Sequence, residues 1–415
     1  MHRLTSLLFI PLLLLSACSA RWRAPAVPED LTQQVALLDN PAIRTWDHEL
    51  SGPFLEEVQA TLQKGINRQR QETGSNDLPT SHLLALSGGG SYGAFGAGIL
   101  CGWTTRGDRP EFSIVTGIST GALTAPFAFA GPEHDAELRR VYTTLSTSDL
   151  LFFRGMFRAI LDESAFDTKP MRRMLEDLID QDMLRDIAAE YAKGRLLMVG
   201  TTNLDADRGV VWNMGLIAKL STEGHPDARR LFHDVLMASA AIPGAFPPVM
   251  LDVTANGTRF QEMHVDGGAK TQVFLYPPSL ELMAESRARG IDRKRVAYII
   301  RNGRHNPIWE SVSRRTASVA RRAVSTLINT QGTGDLFRIY LVSRRDKVEF
   351  NMAYIPDTFA YTSQDLFDPV FMTKLFNLGY EAASQPAGYP WSKSPPGWSE
   401  GMVQPVPLNG PEGNP

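Results

Sequence analysis

The pentapeptide Gly117-Ile118-Ser119-Thr120-Gly121 follows a short apolar run, Phe112 to Val115, and precedes the small apolar stretch Ala122 to Ala130. Strand, glycine, serine, glycine, helix is the setting of a nucleophile elbow, because glycine beside the serine lets the chain reverse tightly enough to expose the hydroxyl. Upstream, Leu83 to Leu86 runs into Gly88-Gly89-Gly90. Bare N–H groups on such a strand-to-helix loop can hold an anion, either a phosphate or the oxyanion that forms when an acyl carbonyl is attacked. Downstream, a strand over Phe260 to Val265 delivers Asp266-Gly267-Gly268. A serine hydroxyl is a poor nucleophile and needs a base, here a histidine or an aspartate. His82 precedes a strand, His233 falls in a helix, and His264 shares a strand face with Asp266; each reads as structural. Asp266, flanked by glycine backbone that allows close approach, is the better-placed base. The N–H groups of Gly88, Gly89 and Gly90 are the candidate oxyanion donors.

Other readings of the glycine loop fit less well. No Lys-Ser/Thr pair follows at the spacing of a nucleotide P-loop. No acidic residue ends a second strand about 20 residues on, as a dinucleotide site requires; Asp108-Arg109-Pro110 reads as a loop. The chain of 415 residues has a net charge of −3, and neither a basic excess nor a zinc spacing points to nucleic acid. Its two cysteines, Cys18 and Cys101, build no disulfide framework and no thiolate metal cluster. Cys101 reads as core filler. The turn Asp205-Ala206-Asp207-Arg208-Gly209 has too few carboxylates at calcium-loop spacing. No metal and no cofactor are expected.

At the N-terminus, Met1-His2-Arg3, the apolar Leu4 to Leu15 and Leu15-Ser16-Ala17-Cys18 form a targeting segment. The last four residues resemble the bacterial lipoprotein box, which implies cleavage before Cys18 and acylation (palmitate-type chains) of that cysteine. The implied location is the bacterial cell envelope, lipid-anchored at the outer membrane and facing the periplasm. Expected divisions are 1–17 as signal peptide, 18–80 as a Pro-extended tether and helical leader, and 81–290 as the catalytic domain. Residues 291–384 are expected as an α+β extension packed on that domain, and 385–415 as a Pro/Gly-rich tail, unfolded or draped over the surface.

Between the motifs, apolar spacing predicts helices over 92–103, 122–130 and 231–241, and two amphipathic helices through Met171–Ile179 and Leu184–Tyr191. Strands are expected at 196–200, 210–213, 296–300 and 349–354. Separate helices are expected along Ile308–Leu327, flanked by Arg314, Arg315, Arg321 and Arg322, and along Leu336–Ser343. Pro126 is expected to end or kink the 122–130 helix unless it lies within the first turns. Alternating helices and short apolar strands argue for an α/β fold with a central, mostly parallel sheet.

Gly88-Gly89-Gly90-Ser91-Tyr92-Gly93, Gly117-Ile118-Ser119-Thr120-Gly121, Ala238-Ser239-Ala240-Ala241-Ile242-Pro243-Gly244-Ala245-Phe246-Pro247-Pro248 and Asp266-Gly267-Gly268 together resemble the patatin-like phospholipase family over roughly residues 83–280. The resemblance implies that family's three-layer fold, with the sheet between helices. It further implies a Ser119–Asp266 dyad, an oxyanion hole from Gly88 to Gly90, and hydrolysis of phospholipid or other acyl esters without a cofactor. Tyr92 stands where members often carry Arg or Lys. An acyl groove is expected near Ala122, Leu123, Phe127 and Phe246. Two other readings stay open: a His-dependent α/β-hydrolase-like esterase, and a non-catalytic outer-membrane lipoprotein that binds lipid or a partner.

Overall fold

The computed structural model describes residues 23–49, 52–153, 166–306, 309–363, 365–385 and 391–399. The expected signal peptide and Cys18 lie outside these residues. The strands are β1 (Arg44–Trp46), β2 (Ser81–Leu86), β3 (Phe112–Ile118), β4 (Phe152–Phe153), β5 (Phe166–Asp167), β6 (Leu196–Asn203), β7 (Arg208–Asn213), β8 (Val249–Ala255), β9 (Thr258–Asp266), β10 (Arg295–Arg304) and β11 (Val348–Ile355). The main helices are α1 (Gly52–Thr73), α2 (Gly93–Arg106), α3 (Thr120–Ala130), α4 (Lys169–Leu178), α5 (Gln181–Ala192), α6 (Ala228–Ser239), α7 (Thr316–Arg345) and α8 (Pro369–Ser384).

The central sheet runs in the order β1-β7-β6-β3-β2-β10-β11. β6, β3, β2, β10 and β11 are parallel neighbours. β7 and β1 add an antiparallel edge, and the β8–β9 hairpin pairs with the end of β6. Parallel strands are buried on both faces because crossover helices cover them, and the side chains alternate accordingly. Leu84 and Leu86 of β2 and Ile300 of β10 enter one core with α2 and α3. Leu83, Ala85, Ala297 and Ile299 enter the other, with Leu336, Ile339 and Tyr340 of α7. The fold is therefore a mixed α/β architecture with a mostly parallel sheet between helices.

The region after residue 290 supplies β10 and β11 to the same sheet. Some sequence expectations are met and others corrected. The two helices expected between 308 and 343 are one helix, α7, which runs through Gly332 and Gly334. The helix expected over 122–130 is present as α3, where Pro126 falls in the second turn and the helix runs on to Ala130. The segment from Arg23 to Pro28 is docked, not a free tether. Arg23 pairs with Asp205, the Ala24 N–H donates to Gln261 Oε1 at 3.0 Å, and the Gln261 N–H donates to the Pro25 carbonyl at 3.0 Å. Of the tail, residues 391–399 drape over the far edge of the sheet. Ser392 bridges to Met352 of β11, and Trp398 packs on Tyr340 with centroids 4.7 Å apart.

Helix α8, which no sequence signal was read to predict, packs backbone to backbone on α2. A Cβ at Gly98 would lie 2.0 Å from the Phe376 carbonyl oxygen, and one at Gly102 2.3 Å from that of Tyr380. Overpacking such a contact typically costs 1–3 kcal/mol. Gly98→Val is expected to lower stability by about 3 kcal/mol, read as a lower urea midpoint, because α8 must move off the helix that carries the glycine loop.

Candidate active site

Ser119 joins β3 to α3 at φ 55° and ψ −125°. The reversal depends on its flanking glycines. A Cβ at Gly117 would sit 2.4 Å from the Gly121 carbonyl oxygen, and one at Gly121 would sit 2.3 Å from that of Leu86. The Ser119 N–H donates to Ser239 Oγ at 3.0 Å, and Ser239 donates onward to the Gly200 carbonyl at 2.7 Å. The turn is thereby tied to α6 and β6.

Asp266 ends β9, opposite Thr201 of β6. Its N–H donates to the Ala241 carbonyl at 2.9 Å, and Thr202 Oγ1 donates to its carbonyl at 3.0 Å. The carboxylate accepts the Gly268 N–H at 2.7 Å and faces the Ser119 hydroxyl, which pulls its pKa down. Both residues are only 5% exposed. Burial pushes the Asp266 carboxyl from its ordinary 3.8 up to about 6, and the Ser119 hydroxyl and the Gly268 N–H oppose that shift only in part.

The three glycines do not play the same part. The Gly88 N–H is already donated to the Gln272 carbonyl at 3.0 Å, and its Cα faces Ser119: a Cβ there would lie 3.3 Å from the serine Cβ. Gly89 and Gly90 have φ 155° and 57°, and no acceptor among the described residues takes their N–H groups. A Cβ at Gly89 would strike the Asn302 carbonyl oxygen at 2.0 Å. Asn302 pins the loop from β10. Its N–H donates to Ser87 Oγ at 2.8 Å, its Nδ2 donates to the Ser87 carbonyl at 2.9 Å, and its Oδ1 accepts the Gly96 N–H at 3.1 Å. Ser239, Gln272 and Asn302 were not identified by sequence reasoning as site-building residues. Ser239 stands in a quoted motif and Gln272 six positions after Asp266, but Asn302 carries no local signal.

The histidines are engaged elsewhere. His82 stacks on Tyr298 at the opposite end of β2, and His233 Nε2–H donates to the Ile179 carbonyl at 2.9 Å. His264 lies between Thr201 Oγ1 at 3.0 Å and Glu262 Oε2 at 3.1 Å, and burial pushes its pKa down. Tyr92 packs edge-on against Phe371 of α8, with centroids 5.3 Å apart. Burial pushes the Cys101 thiol up to about 12, in keeping with a core position. In the acidic turn, Asp205 pairs with Arg23 and Asp207 with Lys270.

The residues expected to line an acyl groove are largely packed. Ala122, Phe127 and Phe246 are packed core residues, and Leu123 lies against them. An apolar groove of about 1250 Å³ opens on the other face of the sheet, between α1, α7 and residues 270–282. Ile118 and Gly267, chain neighbours of Ser119 and Asp266, line its inner end, and Phe54, Val58, Phe274 and Ile339 its walls.

Residues 84–276 match the family model for patatin-like phospholipase. The fold and the motif order thus define a patatin-like phospholipase domain over that span. Among solved structures, VipD from Legionella pneumophila is 15% identical; the match covers 74% of this chain and 66% of that one, with a TM-score of 0.36. The type III effector protein ExoU is 14% identical, with 74% and 53% coverage and a TM-score of 0.27. The matched region is thus just under two thirds of the VipD chain and about half of the ExoU chain. No curated protein matches the chain in sequence.

The raised Asp266 pKa has a measurable consequence for stability. Above pH 6 the fold must hold an ionised, desolvated carboxylate. As pH falls from 6 toward 4, the folded state binds a proton that the unfolded chain does not, and the penalty is relieved. A shift of about two units corresponds to roughly 3 kcal/mol. Asp266→Asn is therefore expected to be more stable than the parent at pH 8 by up to about 3 kcal/mol, with the gain fading by pH 4 in urea titrations.

Proposed function

We propose that this protein is a serine lipid acyl hydrolase, of phospholipase A, lysophospholipase or esterase type, working through a Ser119–Asp266 dyad. The observation that carries the reading is a serine on a strained turn whose hydroxyl faces a buried carboxylate, Asp266, which burial pushes up to about 6. The Asp266 carboxylate takes the Ser119 proton as Oγ attacks the ester carbonyl. The resulting oxyanion is held by the N–H groups of Gly89 and Gly90, with Gly88 shaping the loop. The tetrahedral intermediate collapses to an acyl-serine, and Asp266 returns its proton to the departing alkoxide. Asp266 then deprotonates a water that attacks the acyl-serine. Fatty acid leaves and Ser119 is restored. The substrate's acyl chain lies in the apolar groove that begins at Ile118 and Gly267.

A histidine base is less well supported, because His82, His233 and His264 are each committed to other partners. Ser119→Ala and Asp266→Asn are expected to lower kcat on a phospholipid by about 10⁴-fold or more, while single replacements of His82, His233 or His264 cost stability but leave the folded enzyme active. Because the base must be ionised, kcat/KM should rise with pH through about 6 and then level. A serine-directed fluorophosphonate should label Ser119. Absence of both labelling and hydrolysis would leave a non-catalytic lipid- or partner-binding protein.

The mature chain is further proposed to be held at the bacterial cell envelope by an acylated Cys18, at the outer membrane and facing the periplasm. The short apolar run ending at Cys18 supports this, and more than one acyl chain anchors stably. Cys18→Ser is expected to move the protein from the membrane pellet to the soluble fraction on cell fractionation. A protein that stays in the pellet would remove the anchor.

A further inference from the structure

Sheet neighbours β2 and β10 send the chain to opposite faces. β2 leads through the glycine loop to α2 on one face, and β10 leads to α7 on the other. Such a switch point opens a crevice at the carboxyl ends of the strands, where α/β sheets bind ligands. Asn302 ties one side of this switch point to the glycine loop. Arg301, one residue earlier on β10, faces the other side.

Arg301 is only 6% exposed. Among the described residues its guanidinium has no ion pair and no hydrogen-bond acceptor. It lies against Gln272 and over Gly332 of α7, where a Cβ would come within 2.5 Å of Nη1. Gln272 in turn donates to the Gly268 carbonyl at 3.1 Å and touches Gly88, so one side chain separates Arg301 from both the base loop and the oxyanion loop. The nearest carboxylate, Asp335, is already taken: it pairs with Arg338 and accepts the Gln272 N–H at 2.6 Å. Arg301 therefore shares the field of one buried carboxylate with the half-exposed Arg338 and has no hydrogen-bond acceptor of its own among the described residues. An unpaired buried charge costs several kcal/mol and calls for an anion. Arginine's planar fork suits a phosphoryl group.

We propose that Arg301 forms an anion subsite at the β2–β10 crevice that takes a phosphoryl group, carried on a lipid head group or free in solution. The head-group case rests on the hydrolase reading above, since the subsite lies two strand spacings, about 10 Å, from the end of β3 that bears Ser119.

The test uses the full-length protein in neutral detergent, with Arg301→Gln, Arg301→Lys and Gly332→Ala, whose added methyl presses on the guanidinium. One arm compares kcat/KM on phosphatidylglycerol with that on diacylglycerol of the same acyl chains, which keeps the esters and lacks the phosphate. The phosphatidylglycerol-to-diacylglycerol ratio is expected to fall about tenfold to a hundredfold in Arg301→Gln and less in Arg301→Lys. The other arm follows thermal unfolding in inorganic phosphate, which should raise the melting temperature of the parent but not of Arg301→Gln. A change in the first arm alone assigns the subsite to the head group, and a change in the second alone assigns it to free phosphate; either upholds the subsite. If neither arm changes, the proposal is overturned. In phosphate-free buffer Arg301→Gln should melt at or above the parent, because an unpaired charge has gone; a large drop there with both arms lost would mark Arg301 as structural and also overturn the proposal. If no ester is hydrolysed and Ser119 is not labelled, the hydrolase reading fails while the phosphate arm still decides the subsite.

Discussion

Ser119 holds a backbone conformation that side-chain-bearing residues adopt at a cost of about 1–3 kcal/mol, so its surroundings must keep it there. They do so by close approach. Gly117 meets Gly121 across the turn, and Gly121 meets the Leu86 carbonyl of the neighbouring strand. The Ser119 N–H is then fastened through Ser239 to Gly200. Each contact joins a different element, so β2, β3, β6, α3 and α6 all meet at one bend. The serine side chain is presented because the backbone around it has nowhere else to go.

The carboxylate beside it is controlled by what is absent as much as by what is near. Glu262 and Asp266 lie four residues apart on β9 and are buried to a similar degree. Burial raises both, but the outcomes are opposite. The Arg44 guanidinium at 2.5 Å, together with His264, holds Glu262 well below the usual carboxylate range. Asp266 receives only neutral donors, Gly268 N–H and Ser119, so desolvation prevails and it titrates near 6. One strand thus carries a structural ion pair at one end and a poised base at the other. The difference is a single cation placed by β1. A cation set beside Asp266 would lower its pKa and with it the basicity needed to take a proton from a hydroxyl.

Legibility in the sequence follows the same division between local and long-range causes. Ser119, Asp266 and the glycine loop were readable because a strand end followed by glycine has a short-range steric meaning. The β8–β9 hairpin was equally readable from Asn256-Gly257, both at positive φ, but was passed over. Ser239, Gln272 and Asn302 were not readable: each acts through one side-chain or backbone bond to a residue far away in the chain, and such bonds leave no periodicity. The unequal parts of Gly88 and its two neighbours were hidden for the same reason, since only the approach of Gln272 distinguishes them. Ala122, Phe127 and Phe246 fill the core, and small apolar residues near a nucleophile look alike in sequence whether they line a cavity or fill a core. Helix α7 runs unbroken through Gly332 and Gly334, residues that weaken a helix in isolation. In place, Gly332 leaves room for the Arg301 guanidinium.

The family match ends at residue 276, but the unit that builds the site does not. β10 lies between β2 and β11, hydrogen-bonded along the length of β2, and without it β2 would be an edge strand with Leu83 and Ala85 stripped of their cover. The glycine loop would also lose Asn302, which holds Ser87 and Gly96 on either side of it. α8 adds the close packing that fixes α2 from behind. The residues that would do the chemistry therefore lie within the matched span, whereas their rigidity comes largely from strands and a helix beyond it. A site whose donors must be held in place before charge develops depends on that outer frame as directly as on its own serine.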